Sequence, residues 1–326
     1  MTPRIAVAHY PEGAGHATRM LAVAWAVEER GATVTVAGGG PGTRFIRMNG
    51  YEPYVPTPVD FINTRQFDTG GVITDSVPSA VRRVYDLVRW LRRESPVALV
   101  TDDMFATMAA TLTRTPVYNL THNTPGLYTR LLERTATTVL TRYHRLISRS
   151  FFYPAVWESC SADPSGVVRV PPIALEGDDD TPEIDVLLVP SVYSSGVSAL
   201  ASRLRAAGRD VTRVGGPTWE PVASLFPYIA SATIVVCSGY STVMEAAVAG
   251  TPCVVRPFTD EQRGVTRLLS GTDGFTVVET SREVTESVAD PPTCPDFENG
   301  TDIIADRVMA DIEAEQSSPR STARDR

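Results

Sequence analysis

Twice along this chain, short apolar runs alternate with amphipathic segments of helical length, and that rhythm restricts the fold to helices layered on parallel sheets. Ile5 to His9 reads as a strand, Pro11 to Gly15 as a turn-rich loop, His16 to Arg30 as a helix ended by Gly31, and Thr33 to Ala37 as the next strand. Arg82 to Glu94, Val97 to Thr101, Phe105 to Leu112 and Val117 to Leu120 continue as helix, strand, helix, strand. From Ser159 the pattern breaks into SADPSG, VPP and EGDDDTPE, the composition of an exposed connection that includes the acidic run Asp178 to Asp180. It restarts with a strand at Ile184 to Val189, a helix at Ser195 to Ala207, a strand at Val211 to Val214 and a helix at Val222 to Ser231, broken at Pro227. The expected fold class is α/β, with two doubly wound Rossmann-like domains. Their expected limits are 1–158 and 184–314, joined by a linker at 159–183 and followed by a disordered tail at 315–326.

Composition removes several functions. No apolar run is long enough to span a bilayer, and MTPRIAVAHY lacks a signal-peptide pattern, so a soluble, cytoplasmic protein is expected. Cys160, Cys237, Cys253 and Cys294 lack the spacing of a zinc site or a disulfide framework, and no metal or resident cofactor is expected. All 30 basic residues are arginine, against a net charge of −8, a bias expected of a halophilic or GC-rich source. That balance argues against an extended nucleic-acid surface. Local clusters of arginine remain open.

The most informative segment is Ser238 to Gln262, SGYSTVMEAAVAGTPCVVRPFTDEQ. Ile234 to Cys237 is an apolar strand, Gly239 permits close approach of a ligand, and Ser241 and Thr242 are N-cap residues for a helix over Thr242 to Ala249. Free amides at such a helix start attract anions, diphosphates among them. Thr242 and Glu245 also fit a capping box, and Gly250 with Pro252 a routine helix stop. Beyond the next strand, Cys253 to Arg256, lie Asp260, Glu261 and Gln262. A carboxylate and a carboxamide on one sheet edge suit the hydroxyls of a nucleotide sugar. A second constellation, Glu12-Gly13-Ala14-Gly15-His16, follows the first strand but has Thr18 at the third glycine position of a dinucleotide fingerprint. His16 at a helix start is either a solvated residue or a base kept neutral by the dipole, and His122, after another strand, is a weaker candidate for the same cleft. The adjacent Asp102 and Asp103 are not spaced as a carboxylate pair. A third constellation, Gly126 to Tyr153, sets Arg130, Arg134, Arg142, Arg145 and Arg149 against one acid, Glu133, with Leu127, Leu131, Val139, Tyr143 and Ile147 near helical spacing. It reads either as a helix packed on its own domain or as one lying on an anionic membrane surface.

Gly13-Ala-Gly15-His16-Ala-Thr-Arg19, and later Gly239-Tyr-Ser-Thr242-Val-Met-Glu245-Ala246 with Gly250, Pro252, Pro257 and Gln262, resemble the motifs of two-domain GT-B glycosyltransferases. The likeness is to the family 28 group that includes the bacterial enzyme forming lipid II with UDP-N-acetylglucosamine, and a related set of archaeal glycosyltransferases is more similar still. It implies two Rossmann-like domains facing across a cleft, with the nucleotide-diphospho-sugar held by the second. It places Gly239, Ser241 and Thr242 at the diphosphate, Glu245 at the ribose and Gln262 at the donor sugar, with Gly13, Gly15 and His16 on the acceptor side, where His122 is a candidate from its position alone. An inverting, metal-independent transfer from a UDP-sugar to a lipid-linked or surface-glycan acceptor follows, with His16 as base, peripheral to the inner face of the membrane. Tyr240 stands where the family has a small residue, and Arg263-Gly264 replaces Asn-Ala. A nucleotide-sugar epimerase and a non-catalytic GT-B-like subunit are the alternatives.

Overall fold

The computed structural model describes residues 2–59, 77–177 and 181–317; Asp178 to Asp180 and the chain beyond 317 lie outside them. In the first half, β1 (Arg4–Ala8), α1 (Gly13–Glu29), β2 (Thr33–Ala37), α2 (Thr43–Met48), α3 (Val77–Glu94), β3 (Ala98–Thr101), α4 (Met104–Thr113), β4 (Val117–Leu120), α5 (Leu131–Ile147), β5 (Ser150–Pro154) and β6 (Val168–Val170) follow in order. The strands form one parallel sheet in the order β2-β1-β3-β4-β5-β6. Burial on both faces explains why the inner strands IAVA, ALVT and SFFYP read as unbroken runs rather than alternating patterns.

The second half runs β7 (Ile184–Val189), α6 (Val197–Ala206), β8 (Val211–Arg213), α7 (Phe226–Ala230), β9 (Ala232–Cys237), α8 (Tyr240–Val248), β10 (Cys253–Val255), α9 (Asp260–Leu269), β11 (Phe275–Val277), α10 (Ser281–Ala289) and α11 (Thr301–Ser317). Its sheet is also parallel, in the order β11-β10-β9-β7-β8. No helix among the described residues is long and apolar enough to cross a membrane.

The chain crosses between the sheets twice. Residues 168–170, expected in the connection, add β6 to the first sheet beside β5. Helix α11, expected in the second domain and, from 315, as disordered tail, instead packs on the first. Its Ile304, Ala305, Val308, Met309 and Ile312 recur at helical spacing and fill the core beneath α1. Arg30 grips Asp302 and Asp306 at 2.9 and 2.6 Å, and Arg149 meets Glu315 at 2.5 Å. The two halves also share core: Leu127, Tyr153, Ala155, Val156 and Trp157 of the first pack in one cluster with Leu187, Tyr240, Val243 and Val265 of the second.

Candidate active site

A doubly wound sheet opens a crevice where its strand order reverses. In the first sheet that point lies between β1 and β3, which brings the loop before α1 against the residues that follow β3. His16, in the first turn of α1, puts Nδ1 2.7 Å from Oδ2 of Asp102, and the Tyr10 amide donates to Oδ1 at 2.8 Å. A carboxylate only accepts, so Nδ1 carries the hydrogen and Nε2 keeps a free lone pair. The His16 side chain is 21% exposed, enough for a substrate to reach it. Burial alone would push the Asp102 pKa up, but its pairing and hydrogen bonds with His16 and Arg19 outweigh it and hold the carboxyl well below its usual range.

Arg19 lies one turn beyond His16 on the same face of α1, and its Nη2 donates to the same Asp102 oxygen. Nη2 also sits 3.0 Å from His16 Nδ1, because both donors converge on that oxygen. The other arm, Nη1, donates to His122 Nδ1 at 3.2 Å. With Nδ1 accepting, His122 Nε2–H donates to Glu261 of α9 at 2.9 Å, across the domain boundary. Burial pushes the His122 pKa down, which keeps this ring neutral.

The second sheet reverses between β7 and β9. Here the Ser191 amide donates to Ser238 Oγ at 3.3 Å, and the Ser194 and Ser238 hydroxyls lie 3.0 Å apart. Helix α8 starts at this point. Its N-cap is Gly239, extended at φ −106°, and no side chain caps the first-turn amides. The start of α8 abuts the start of α1: a Cβ on Gly15 would lie 2.1 Å from Ser241 Oγ. Tyr240 stacks on His122 with ring centres 4.3 Å apart, and its hydroxyl donates to the Pro154 carbonyl at 2.6 Å. Tyr193 reaches Glu12 across the boundary at 2.8 Å. The seam encloses a cavity of about 10 Å³ beside Gly15, Thr18, Arg19, Tyr240, Ser241 and Glu245, room for about one water.

Gly15 thus meets Ser241, and His122 meets Tyr240, at one seam beside His16. Two expectations about α8, its start and its capping box, need correction. The helix starts at Tyr240 rather than Thr242, so Thr242 lies inside it and forms no capping box with Glu245. Glu245 is buried in mid-helix, its carboxyl without a hydrogen-bond partner among the described residues, and burial pushes its pKa up to about 8. The capping box belongs to α9: Thr259 accepts from the Gln262 amide at 3.2 Å, while Gln262 Oε1 accepts from the Phe258 and Thr259 amides at 2.7 and 3.3 Å. That leaves Gln262 only its Nε2, which is 3.4 Å from Ser191 Oγ, for a donor sugar. Asp102, Arg19 and Glu261 carry the network, a role that the sequence pattern assigns to none of them. The one available signal was position, since Asp102 directly follows a strand and Arg19 lies three residues beyond His16.

No protein-family model matches the sequence, and no curated protein matches it. Solved structures do match. The glycosyltransferase SsfS6 of Streptomyces sp. SF2575, complexed with thymidine diphosphate, superposes with a TM-score of 0.62 at 14% identity, covering 95% of this chain and 99% of that one. This is the GT-B fold. MurG of Acinetobacter baumannii matches with a TM-score of 0.58 at 15% identity over 94% of this chain and 100% of its own. Arabidopsis thaliana UGT89C1, complexed with quercetin, gives 0.62 at 12% identity over 98% of this chain and 96% of its own. At these identities the likeness establishes architecture, and the chemistry rests on the site.

Proposed function

We propose that this GT-B protein is a glycosyltransferase that moves a sugar from a nucleoside-diphosphate donor, UDP-linked in the first instance, to a lipid-linked or surface-glycan hydroxyl. The observation that carries the reading is the meeting of two switch points. A His16–Asp102 pair with Nε2 free faces a helix start whose amides have no side-chain cap. In this mechanism His16 Nε2 removes the acceptor proton as the oxygen attacks the anomeric carbon. Asp102 stabilises the imidazolium, and the α8 amides stabilise the departing diphosphate. One displacement inverts the anomeric centre, and the amides supply the charge stabilisation that a metal would otherwise give. Glu245 faces the ribose once the seam widens. Structural neighbours crystallised with thymidine diphosphate and with quercetin support a nucleotide donor and a hydroxyl acceptor.

The membrane-facing part of the proposal rests on α5. Of its 17 residues only His144 is buried, while Leu131, Leu132, Val139 and Leu146 are exposed among the arginines. An amphipathic helix that covers so little protein suits an anionic bilayer at the cytoplasmic face. The closed seam favours one other reading, a non-catalytic subunit whose donor cleft stays shut. Incubation with UDP-, GDP- and TDP-sugars separates the two: saturable binding with slow donor hydrolysis is expected of the enzyme, and saturable binding to none of them overturns it.

A further inference from the structure

The Asp102 carboxylate is used twice on one oxygen, since Oδ2 accepts from both His16 Nδ1 and Arg19 Nη2. A carboxylate neutralised by a guanidinium stabilises an imidazolium less than a free one, so in this state Arg19 weakens the base that Asp102 serves. The guanidinium is not saturated either. Its Nε–H has no hydrogen-bond partner although the side chain is only 5% exposed. Arg19 lines the seam cavity together with Tyr240 and Ser241, the first residues of α8, and its Cζ lies 5.9 Å from the Tyr240 ring centre. A planar guanidinium with a spare donor beside a helix start is the geometry that binds a phosphate in two-point contact. The acid in the same cavity, Glu245, has its pKa pushed up to about 8 by burial, which reduces its charge while the seam is closed.

We propose that Arg19 completes the diphosphate site from the opposite domain, exchanging the Asp102 oxygen for a donor phosphate oxygen when the seam opens to admit the nucleotide. This rests on the glycosyltransferase reading. The exchange leaves His16 as the one side chain of these two on Asp102 Oδ2, with the Tyr10 amide still on Oδ1, so the base reaches full strength only with donor in place. No bond is made or broken beyond these hydrogen bonds, and no proton leaves Arg19. His122 loses its Arg19 partner in the same step.

The experiment compares calorimetric binding of UDP, uridine and inorganic pyrophosphate to the full chain and to Arg19→Gln. The wild type is expected to prefer UDP to uridine strongly, and Arg19→Gln to lose about tenfold or more in UDP and pyrophosphate affinity while binding uridine unchanged. Where Arg19→Gln fails to fold because buried Asp102 loses its guanidinium partner, R19Q/D102N removes both charges and should show the same loss. A folded variant that keeps the wild-type UDP-to-uridine ratio overturns the role of Arg19 and leaves the enzyme reading standing. A wild type that binds neither UDP nor pyrophosphate overturns both.

Discussion

The seam between α1 and α8 can be tested by adding a single methyl group. In Gly15→Ala the new Cβ would lie 2.1 Å from Ser241 Oγ and 2.7 Å from Ser241 Cβ. Carbon atoms rest at about 3.5 to 4.0 Å, so the two helix starts must part by about 1 Å. Overpacking of this kind costs about 1 to 3 kcal/mol. Both offending atoms vanish in Ser241→Gly, whose own cost in a helix is about 0.5 to 1 kcal/mol. The double variant should therefore be more stable than the sum of the two single changes by about 1 to 2 kcal/mol. Urea unfolding of the four proteins at fixed pH measures this coupling. Additivity within about 0.5 kcal/mol would refute the argument, because it would mean that the two helix starts do not touch in solution.

Three further outcomes follow from the site. Asp102→Asn should lower kcat about 100-fold or more with donor affinity held or raised, because Arg19 is freed for the phosphate, and equal losses in kcat and in donor binding would contradict its role beside His16. Glu245 binds its proton in the folded state between its ordinary pKa of 4.5 and about 8, while the unfolded chain has released it, so stability falls as pH rises through that window. Glu245→Gln should accordingly gain on the wild type as pH rises, by of the order of 4 kcal/mol near pH 8 and by almost nothing near pH 4; parallel thermal-unfolding profiles would contradict this. Flotation with anionic liposomes at low salt should carry the wild type and leave a Leu131→Asp/Leu132→Asp variant behind, and equal flotation would remove α5 as the contact.

Some of this architecture was legible because apolar runs are hard to hide. IAVA, ALVT and IDVLLV are buried strands in any arrangement that alternates with helices. The return of α11 to the first domain was not legible, since its apolar stripe is the same whichever sheet it covers. Two of the S/T-x-x-E/Q patterns, Thr242 to Glu245 and Thr259 to Gln262, are equivalent on paper. Which of them caps depends on where the preceding turn ends, and Gly239 ends it early enough to place Thr242 inside the helix. Asp102 and Asp103 look redundant as neighbours. The fold separates them: Asp102 turns to His16 and Arg19, while Asp103 caps α4 and pairs with the buried Arg83 at 2.7 Å.

The central claim, that a nucleotide sugar binds at the start of α8 and is turned over by His16, is tested most directly by comparing UDP-sugar binding and hydrolysis in the wild type and His16→Ala. The account predicts saturable binding of equal strength in both and hydrolysis lowered about 100-fold or more in the variant. Unchanged hydrolysis in His16→Ala, or no saturable binding of any nucleotide sugar to the wild type, would contradict it.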